Sequence, residues 1–378
     1  MEKFWNFLKG FLLTFCVVVT CIVSVTVATH FDETKKILST LYWIHDKYLW
    51  DSDADTIADG AVRGMMAELG DQYSVYIDED MMTGFSNKVS GEVFGIGVMV
   101  LQKEDGSIIF TGTVKDGAAE KAGVKKGDIL QTVDGESMEG KTLDEAVGKM
   151  RGKEGEKVKI SVLRGEETKK FTIAREKIGT VQTVAGGFLD EDPDIAYLQV
   201  TEFSLQTTQQ FADEINRLVE EKKDFKGLII DLRNNPGGEI HAAVDIARIF
   251  VPKGPIVHVV DNEGKTSSMN ATKPQLKLPV VLLVNENTAS AAEIVTGALK
   301  ETGVATVVGT KTFGKGIIQG VYTFDDGTAI KITEAKYLTP NKNDINGVGI
   351  KPDIEVKMDP DAQEDIQLKK AIEVLQAK

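Results

Sequence analysis

Residues 280–293 read VVLLVNENTASAAE, in which five apolar residues lead into a polar turn and then into a segment that can begin a helix. Residues 228–230, Leu-Ile-Ile, form a second uninterrupted apolar run. Strands that are apolar on both faces are typical of sheets covered by helices on both sides. Outward from these two strands, strand and helix patterns alternate from about residue 178 to residue 308, which predicts a layered α/β domain.

The junction after strand 280–284 would present Ser290 at the carboxyl end of the sheet. The start of a helix offers free backbone N–H groups and the positive end of the helix dipole, which stabilise a developing negative charge. The position therefore suits a nucleophile. The competing interpretation is that Ser290, or Thr288 before it, only caps the helix.

Lys315 stands between two glycines in residues 313–319, Phe-Gly-Lys-Gly-Ile-Ile-Gln. Poor solvation lowers the pKa of a lysine, and a neutral amine can accept a proton from a serine hydroxyl. Gln319 follows four residues later, a spacing that returns to the same side of a strand, so it can hold the amine in position. The competing interpretation of Lys315 is a solvated charge on a loop.

A glycine turn follows the other apolar strand, in residues 231–238, Asp-Leu-Arg-Asn-Asn-Pro-Gly-Gly. Adjacent glycines allow the backbone to approach a ligand closely. Either Gly237 or Gly238 is expected to donate one hydrogen bond to an oxyanion, with the N–H of Ala291 as the second donor. A turn without any function is the alternative.

These three segments together resemble the signatures of the C-terminal processing, or tail-specific, serine peptidases of the S41 type. The matching blocks are residues 231–238, residues 288–293 and residues 313–316. The resemblance implies that Ser290 is the nucleophile, that Lys315 is the general base and that Gln319 orients the lysine. It also implies a crotonase-like and Clp-protease-like α/β core, and substrates that are proteins or peptides with exposed C-termini.

A β-rich region of short strands separated by glycines precedes the core, over about residues 90–176. One helix interrupts it, with Thr142 and Glu145 at the spacing of a capping box. The same resemblance identifies this region as a PDZ domain whose carboxylate-binding loop consists of consecutive residues: Phe94, Gly95, Ile96 and Gly97. Consecutive backbone N–H groups in such a loop can bind a terminal carboxylate, while a strand edge pairs with the peptide.

Arg151 follows the PDZ helix, where a cation is favoured by the helix dipole alone. The family resemblance implies a regulatory role instead, in which an arginine near this position senses a bound peptide and links the PDZ domain to the core. The planar guanidinium suits that role because it can exchange partners between two domain arrangements.

Two rival interpretations of the site remain open from the sequence. His241 with Asp245 one helical turn later could complete a Ser-His-Asp arrangement with Ser290. A PDZ scaffold with an inactive protease core could bind peptides without cleaving them, although the joint presence of Ser290 and Lys315 argues against it. We expect no cofactor, and the sequence contains no HExxH motif or other metal-ligand cluster.

Residues 11–28 contain no charged side chain and are long enough to span a bilayer as a helix. Lysines precede this segment and acidic residues follow it, so the positive-inside tendency predicts a single-pass anchor with the rest of the chain outside the cytoplasm. A cleaved signal peptide and a secreted protein are the alternative. Both cysteines, Cys16 and Cys21, lie in this segment, which leaves no thiol in the exported part.

The chain has 378 residues and a net charge of -14, which predicts several domains and argues against a nucleic-acid partner. We expect a multidomain α/β protein in which a β-rich PDZ domain of the inserted type accompanies the core. The expected boundaries are 1–30 for the anchor or signal, 31–89 for N-terminal helices, 90–176 for the PDZ domain, 177–358 for the core and 359–378 for a C-terminal helix. Family analogy adds a homodimer through the terminal helices.

Overall fold

The computed structural model describes residues 31–103, 105–272, 276–358 and 364–377. The chain folds as two compact units, residues 1–70 and residues 71–378. The described part of the first unit consists of two helices, α1 (Phe31–Lys47) and α2 (Ala54–Ala67). Asp53 caps α2 by accepting a hydrogen bond from the N–H of Thr56.

The second unit begins with a short strand and a helix and continues into the β-rich region. Its first elements are β1 (Val75–Ile77), α3 (Glu79–Ser90), β2 (Glu92–Gly95), β3 (Val98–Gln102), β4 (Ile108–Thr113), α4 (Ala118–Ala122), β5 (Ile129–Val133), β6 (Glu136–Ser137), α5 (Leu143–Met150), β7 (Lys157–Arg164), β8 (Glu167–Ala174) and β9 (Glu176–Thr180). Strands β3, β4, β5, β7 and β8 form an antiparallel sheet in that order, and β2 pairs with β9. The predicted capping box at the start of α5 is confirmed, because Thr142 and Glu145 exchange hydrogen bonds.

The α/β core contains the remaining elements of the chain. They are β10 (Val184–Phe188), β11 (Ile195–Val200), α6 (Thr207–Glu221), β12 (Gly227–Asp231), α7 (Ile240–Phe250), β13 (Pro255–Asp261), β14 (Thr266–Asn270), β15 (Val280–Val284), α8 (Ala291–Glu301), β16 (Ala305–Gly309), β17 (Ile317–Thr323), β18 (Ala329–Leu338), β19 (Ile354–Glu355) and α9 (Ile366–Gln376). The central sheet has the order β10-β11-β12-β15-β16-β19, and every pair after the antiparallel pair β10-β11 is parallel.

Helices cover both faces of the central sheet, as the two apolar strands predict. Ile230 and Leu282 face the larger cluster of buried residues, which contains side chains of α6, α7 and α8. Ile229 and Leu283 face the other cluster, which contains side chains of α9. Full burial of such a side chain contributes about 1.5–3 kcal/mol, so both faces of β12 and β15 stabilise the layered arrangement.

A second, antiparallel sheet has the order β1-β18-β13-β14, with β17 also paired to β18. Strands β13 and β14 form a hairpin, and this hairpin belongs to the second sheet. Strand β1 pairs with β18, with Val75 opposite Lys331. The β-rich region is therefore inserted between one strand of the core and the rest of it.

The apolar segment of residues 11–28, with Cys16 and Cys21, lies outside the described residues. Within the ranges that the structure describes, no helix is both long and apolar enough to cross a membrane.

We expect that Phe211→Ala lowers the free energy of unfolding by about 3–5 kcal/mol, because it empties a fully buried position between the sheet and its helices. Urea unfolding monitored by circular dichroism checks this value. Phe324→Ala is the matched control, since that ring is 45% exposed and its loss should change stability by less than about 0.5 kcal/mol. Equal effects of the two changes would contradict the packing described for α6.

Candidate active site

Ser290 occupies a strained turn between β15 and α8. Its backbone has φ 54° and ψ −120°, whereas the residue that caps a helix usually has an extended backbone. Such sparsely populated conformations persist only where the surrounding structure holds them, and they are concentrated at functional sites. The geometry therefore differs from that of an ordinary helix cap.

Glu293 connects this turn to the lysine loop. Its carboxylate is fully buried and has four hydrogen-bond donors around it. Oε2 accepts from the backbone N–H of Ser290 (2.9 Å) and of Lys315 (2.8 Å). Oε1 accepts from the Thr312 hydroxyl (2.6 Å) and the N–H of Gly314 (2.8 Å). One charged group thus holds two segments together that lie more than 20 residues apart in the chain.

Tyr337 lies on β18, and its hydroxyl contacts the same two residues, Ser290 and Lys315. It lies 2.9 Å from the carbonyl oxygen of Ser290 and 2.5 Å from that of Lys315. The side chain is buried, and this burial, together with the charge of Glu293, raises the pKa of Tyr337 well above its usual value. The hydroxyl therefore keeps its proton as a donor to these carbonyl groups at neutral pH.

The Lys315 side chain is half-buried, and its Nζ lies 4.7 Å from the centre of the Tyr73 ring. Burial lowers the pKa of the Lys315 amine, the charge of Lys331 lowers it further, and the charge of Asp71 opposes both effects. The lower pKa increases the fraction of neutral amine near neutral pH, as a general base requires.

Gln319 lies on β17 and is half-buried. Its Nε2 donates to the Thr333 hydroxyl (3.2 Å), and that hydroxyl donates to Oδ2 of Asp71 (2.6 Å). The orienting role expected for Gln319 stays a prediction. Asp71 and Tyr73 are not among the residues predicted from the sequence, where their only signal is a polar and aromatic run directly after the N-terminal helices.

The glycine turn after β12 packs directly against Ser290. A Cβ atom added to Gly237, which has φ +93°, would lie 2.7 Å from the Cβ of Ser290 and 2.8 Å from the backbone nitrogen of Ala291. Only glycine permits this close approach. The N–H of Gly237 donates to Oδ1 of Asn235 (2.8 Å), so it is already engaged. Within the described residues, the N–H groups of Gly238 and Ala291 donate to no protein group.

Hydrogen bonds also join the glycine turn to the serine turn. The side chain of the buried Asn235 donates from Nδ2 to the carbonyl of Val200 (2.7 Å). The backbone carbonyl of Asn235 accepts from the N–H of Ala289 (2.9 Å). The Thr288 hydroxyl donates to the carbonyl of Leu232 (2.8 Å). The three sequence blocks therefore meet at the carboxyl ends of β12 and β15.

The two histidines of the core have other environments. His241 is exposed at the start of α7, and the carboxylate of Asp245 pairs with Arg248 (2.7 Å). His258 is buried on β13, where its ring contacts the Ser268 hydroxyl. Among the residues that the structure describes, no group of three or more acidic, histidine or cysteine side chains could hold a metal ion.

The expected carboxylate-binding loop begins within β2, whose last residues are Phe94 and Gly95; Gly95, Ile96 and Gly97 are buried, while Phe94 is half-buried. The neighbouring strand β3 is at the edge of its sheet. Arg151 ends α5, and its Cγ lies 3.9 Å from the point where a Cβ of Gly95 would stand. Arg151 also lines a cavity of about 870 Å³ between the β-rich region, α3 and the start of the core.

Comparisons with known families agree with this arrangement. Residues 194–356 match the model of peptidase family S41, residues 109–164 match a PDZ domain, and residues 23–81 match the domain described as the activating protease CtpB N-terminal domain. The structure of the photosystem II D1 C-terminal processing protease is similar, with a TM-score of 0.51 and 28% identity over 88% of this chain and 90% of that chain.

Two relatives share more of the sequence. A probable CtpA-like serine protease of Staphylococcus aureus (strain COL) is 38% identical over 317 residues, which are 83% of this chain and 62% of the relative. The carboxy-terminal processing protease CtpA of Bacillus subtilis (strain 168) is 39% identical over 318 residues, which are 83% of this chain and 67% of that relative. The chain belongs to peptidase family S41, in its group of C-terminal processing proteases. The expected α/β core with a PDZ domain is thereby confirmed.

We expect Glu293→Gln to lower the free energy of unfolding, because an amide cannot accept hydrogen bonds from all four donors around this side chain. Each bond lost to a charged acceptor should cost about 1.5–3 kcal/mol. Chemical denaturation measures the change. Glu286→Gln makes the same substitution at an exposed site four residues before Ser290, and it should be nearly neutral. A Glu293→Gln variant as stable as the parent would show that the carboxylate does not hold the two segments together.

Proposed function

We propose that this protein is a serine endopeptidase that binds exposed C-terminal tails through its PDZ domain and cleaves a nearby peptide bond. Ser290 is the nucleophile and Lys315 the general base. The observation that carries the proposal is the buried Glu293 carboxylate, which accepts hydrogen bonds from the backbone N–H groups of both residues. Membership of peptidase family S41 supports the reaction class.

The reaction begins when Oγ of Ser290 attacks the scissile carbonyl carbon while the Lys315 amine takes the proton of the Ser290 hydroxyl. Negative charge moves to the carbonyl oxygen, for which Gly238 and Ala291 are the proposed N–H donors. The intermediate collapses as the Lys315 ammonium gives the proton to the leaving amine. Water then hydrolyses the acyl-Ser290 ester, with Lys315 again as the base.

Three observations favour Lys315 over a histidine as the base. Burial lowers the pKa of the Lys315 amine. The carboxylate that would orient His241 is paired with Arg248. The ring of His258 is hydrogen-bonded within its hairpin and to the carbonyl of Pro340. A Ser-Lys pair therefore fits the surroundings of Ser290 better than a Ser-His-Asp triad.

Tail recognition is assigned to the loop of Phe94, Gly95, Ile96 and Gly97 and to the edge strand β3, which can pair with an extended peptide. Arg151 is the proposed sensor of the bound tail. Its side chain lies beside the loop and lines the cavity that also contains Val181 and Glu202 from the beginning of the core. A guanidinium at this point can exchange partners between two domain arrangements. A peptide that binds the two arrangements with different affinity would shift their populations.

The protein is proposed to act outside the cytoplasm, which rests on the apolar segment of residues 11–28 and the charges around it. Anchoring and secretion after cleavage are both compatible with that location. The homodimer stays a prediction, supported by the exposed apolar side chains of α1, among them Leu38, Leu41 and Trp43.

We expect Ser290→Ala and Lys315→Ala to abolish cleavage of an unstructured protein, with losses of at least about 100-fold, while both variants keep the parent fold. His241→Ala should retain most of the activity. Gel assays of the exported fragment together with circular dichroism make the comparison. An inactive His241 variant beside an active Lys315 variant would contradict the base assignment, and negligible cleavage by the parent with intact peptide binding would favour the scaffold.

The pH profile of the same reaction tests the state of the amine. Because the neutral form of Lys315 is reactive, the rate should rise with pH through the pKa of that amine. Burial lowers this pKa, so the midpoint should lie below the ~10.4 of an ordinary lysine. A rate that rises only near the ordinary lysine value would show that the amine is not desolvated in the working enzyme.

Arg151→Ala should reduce cleavage of tailed protein substrates severalfold without unfolding the enzyme, and deletion of residues 90–176 should make the activity independent of tail sequence. Lys126→Ala is the matched control, an exposed cation of the same domain that does not line the cavity. Rates are measured with and without a tail peptide. If the Arg151 variant cleaves at the parent rate and still responds to the peptide, Arg151 is only a charge at a helix end.

A further inference from the structure

We propose that Asp71 is a positioning residue for the general base. Asp71 holds the Lys315 amine through its negative charge and through Tyr73, and it is itself connected to Gln319. This inference rests on the proposed function, since it gives the lysine of the Ser-Lys pair a third partner. It assigns a role in the chemistry to a segment that precedes the PDZ domain in the chain.

The geometry begins with the ring of Tyr73. Nζ of Lys315 lies 4.7 Å from the ring centre, within the range over which an aromatic face attracts a cation. The N–H of Tyr73 donates to Oδ1 of Asp71 (3.0 Å), so the ring and the carboxylate belong to one tight turn. The charge of Asp71 acts on the Lys315 amine in the same direction as the ring, toward the protonated form.

The carboxylate of Asp71 is itself fixed by neighbouring hydroxyl groups. Its Oδ2 accepts from Ser74 (2.6 Å) and from Thr333 (2.6 Å). The hydroxyl of Ser74, which is buried, also accepts from the N–H of Thr333 (2.9 Å). These hydrogen bonds lower the pKa of Asp71, so the group carries its negative charge at neutral pH.

Gln319 enters the same network from β17. Its amide donates to Thr333, which in turn donates to Asp71, so the residue predicted to orient the lysine is connected to Asp71 through one intervening side chain. Strand β1 brings this segment to β18 by pairing Val75 with Lys331. The pairing of these two distant strands thus brings Asp71 close to the Lys315 amine.

In the proposed reaction, Asp71 stabilises the charge that forms on Lys315. Once the serine proton has moved, the ammonium of Lys315 forms in a poorly solvated place, where an unpaired charge is costly. Lys331 opposes that charge. The nearby carboxylate of Glu293 is surrounded by its own four donors, and Tyr337 keeps its proton. Among these surroundings Asp71 is the negative group that stabilises the ammonium, as the third group of a catalytic triad stabilises its base.

The test compares Asp71→Asn with Asp71→Glu and with Asp326→Asn. Asp326 is the matched control. Like Asp71, it accepts hydrogen bonds from a backbone N–H and a hydroxyl, here both of Thr328, but it lies on the exposed turn between β17 and β18. Asp71→Asn should lower kcat at least about tenfold with little change in KM. It should also shift the rising limb of the pH profile to lower pH, because the loss of the negative charge lowers the pKa of Lys315 further. Asp71→Glu should restore part of the rate and of the pH midpoint.

A second measurement is independent of turnover. In protein labelled with ¹³C at the lysine ε-carbon, the signal that is missing from Lys315→Arg reports the titration of this amine. Its midpoint should move to lower pH in Asp71→Asn and stay unchanged in Asp326→Asn. Parent-like kcat, pH profile and titration in a folded Asp71→Asn would overturn the inference while leaving the Ser-Lys proposal intact. Activity that survives Lys315→Ala would instead overturn the proposed function, and the titration would still decide whether Asp71 acts on the amine.

Discussion

The buried carboxylate of Glu293 is the interaction on which the rest of the site depends. A charge without water is costly unless donors surround it, and this one has four, from three backbone N–H groups and one hydroxyl. The donors come from the serine turn and from the loop that carries Lys315. The loop must therefore lie where it satisfies the carboxylate, which brings the Ser290 turn and the Lys315 loop together.

The central sheet makes this turn possible. Strands β12 and β15 are buried on both faces, so their ends are rigid and their polar loops extend from the same edge. The strained backbone of Ser290 is held on one side by Gly237 and on the other by Glu293 and Tyr337. A rigid scaffold thereby keeps a conformation that an isolated turn would not adopt.

The PDZ domain is connected to the core at both of its ends. Strand β1 before it and strand β10 after it both pair with strands of the core. Lys153, in the loop after α5, also contacts Glu79 of α3 (2.7 Å), and both residues line the 870 Å³ cavity. An exposed ion pair of this kind contributes little to stability. Tyr73, which lies beside the Lys315 amine, and the residues of α3 that line this cavity thus belong to one segment, 71–90.

Local patterns in the sequence determined the apolar strands, the cap of α5, the segments that carry Ser290 and Lys315 and the β-rich region, because each depends on neighbouring residues. Only the tertiary structure decided that Gly237 donates to Asn235. It also decided that Gln319 contacts Thr333 and that Asp71 reaches the same hydroxyl from 262 positions earlier in the chain. Such contacts follow from strand register and from the direction of side chains, and neither is encoded in the spacing of a single segment.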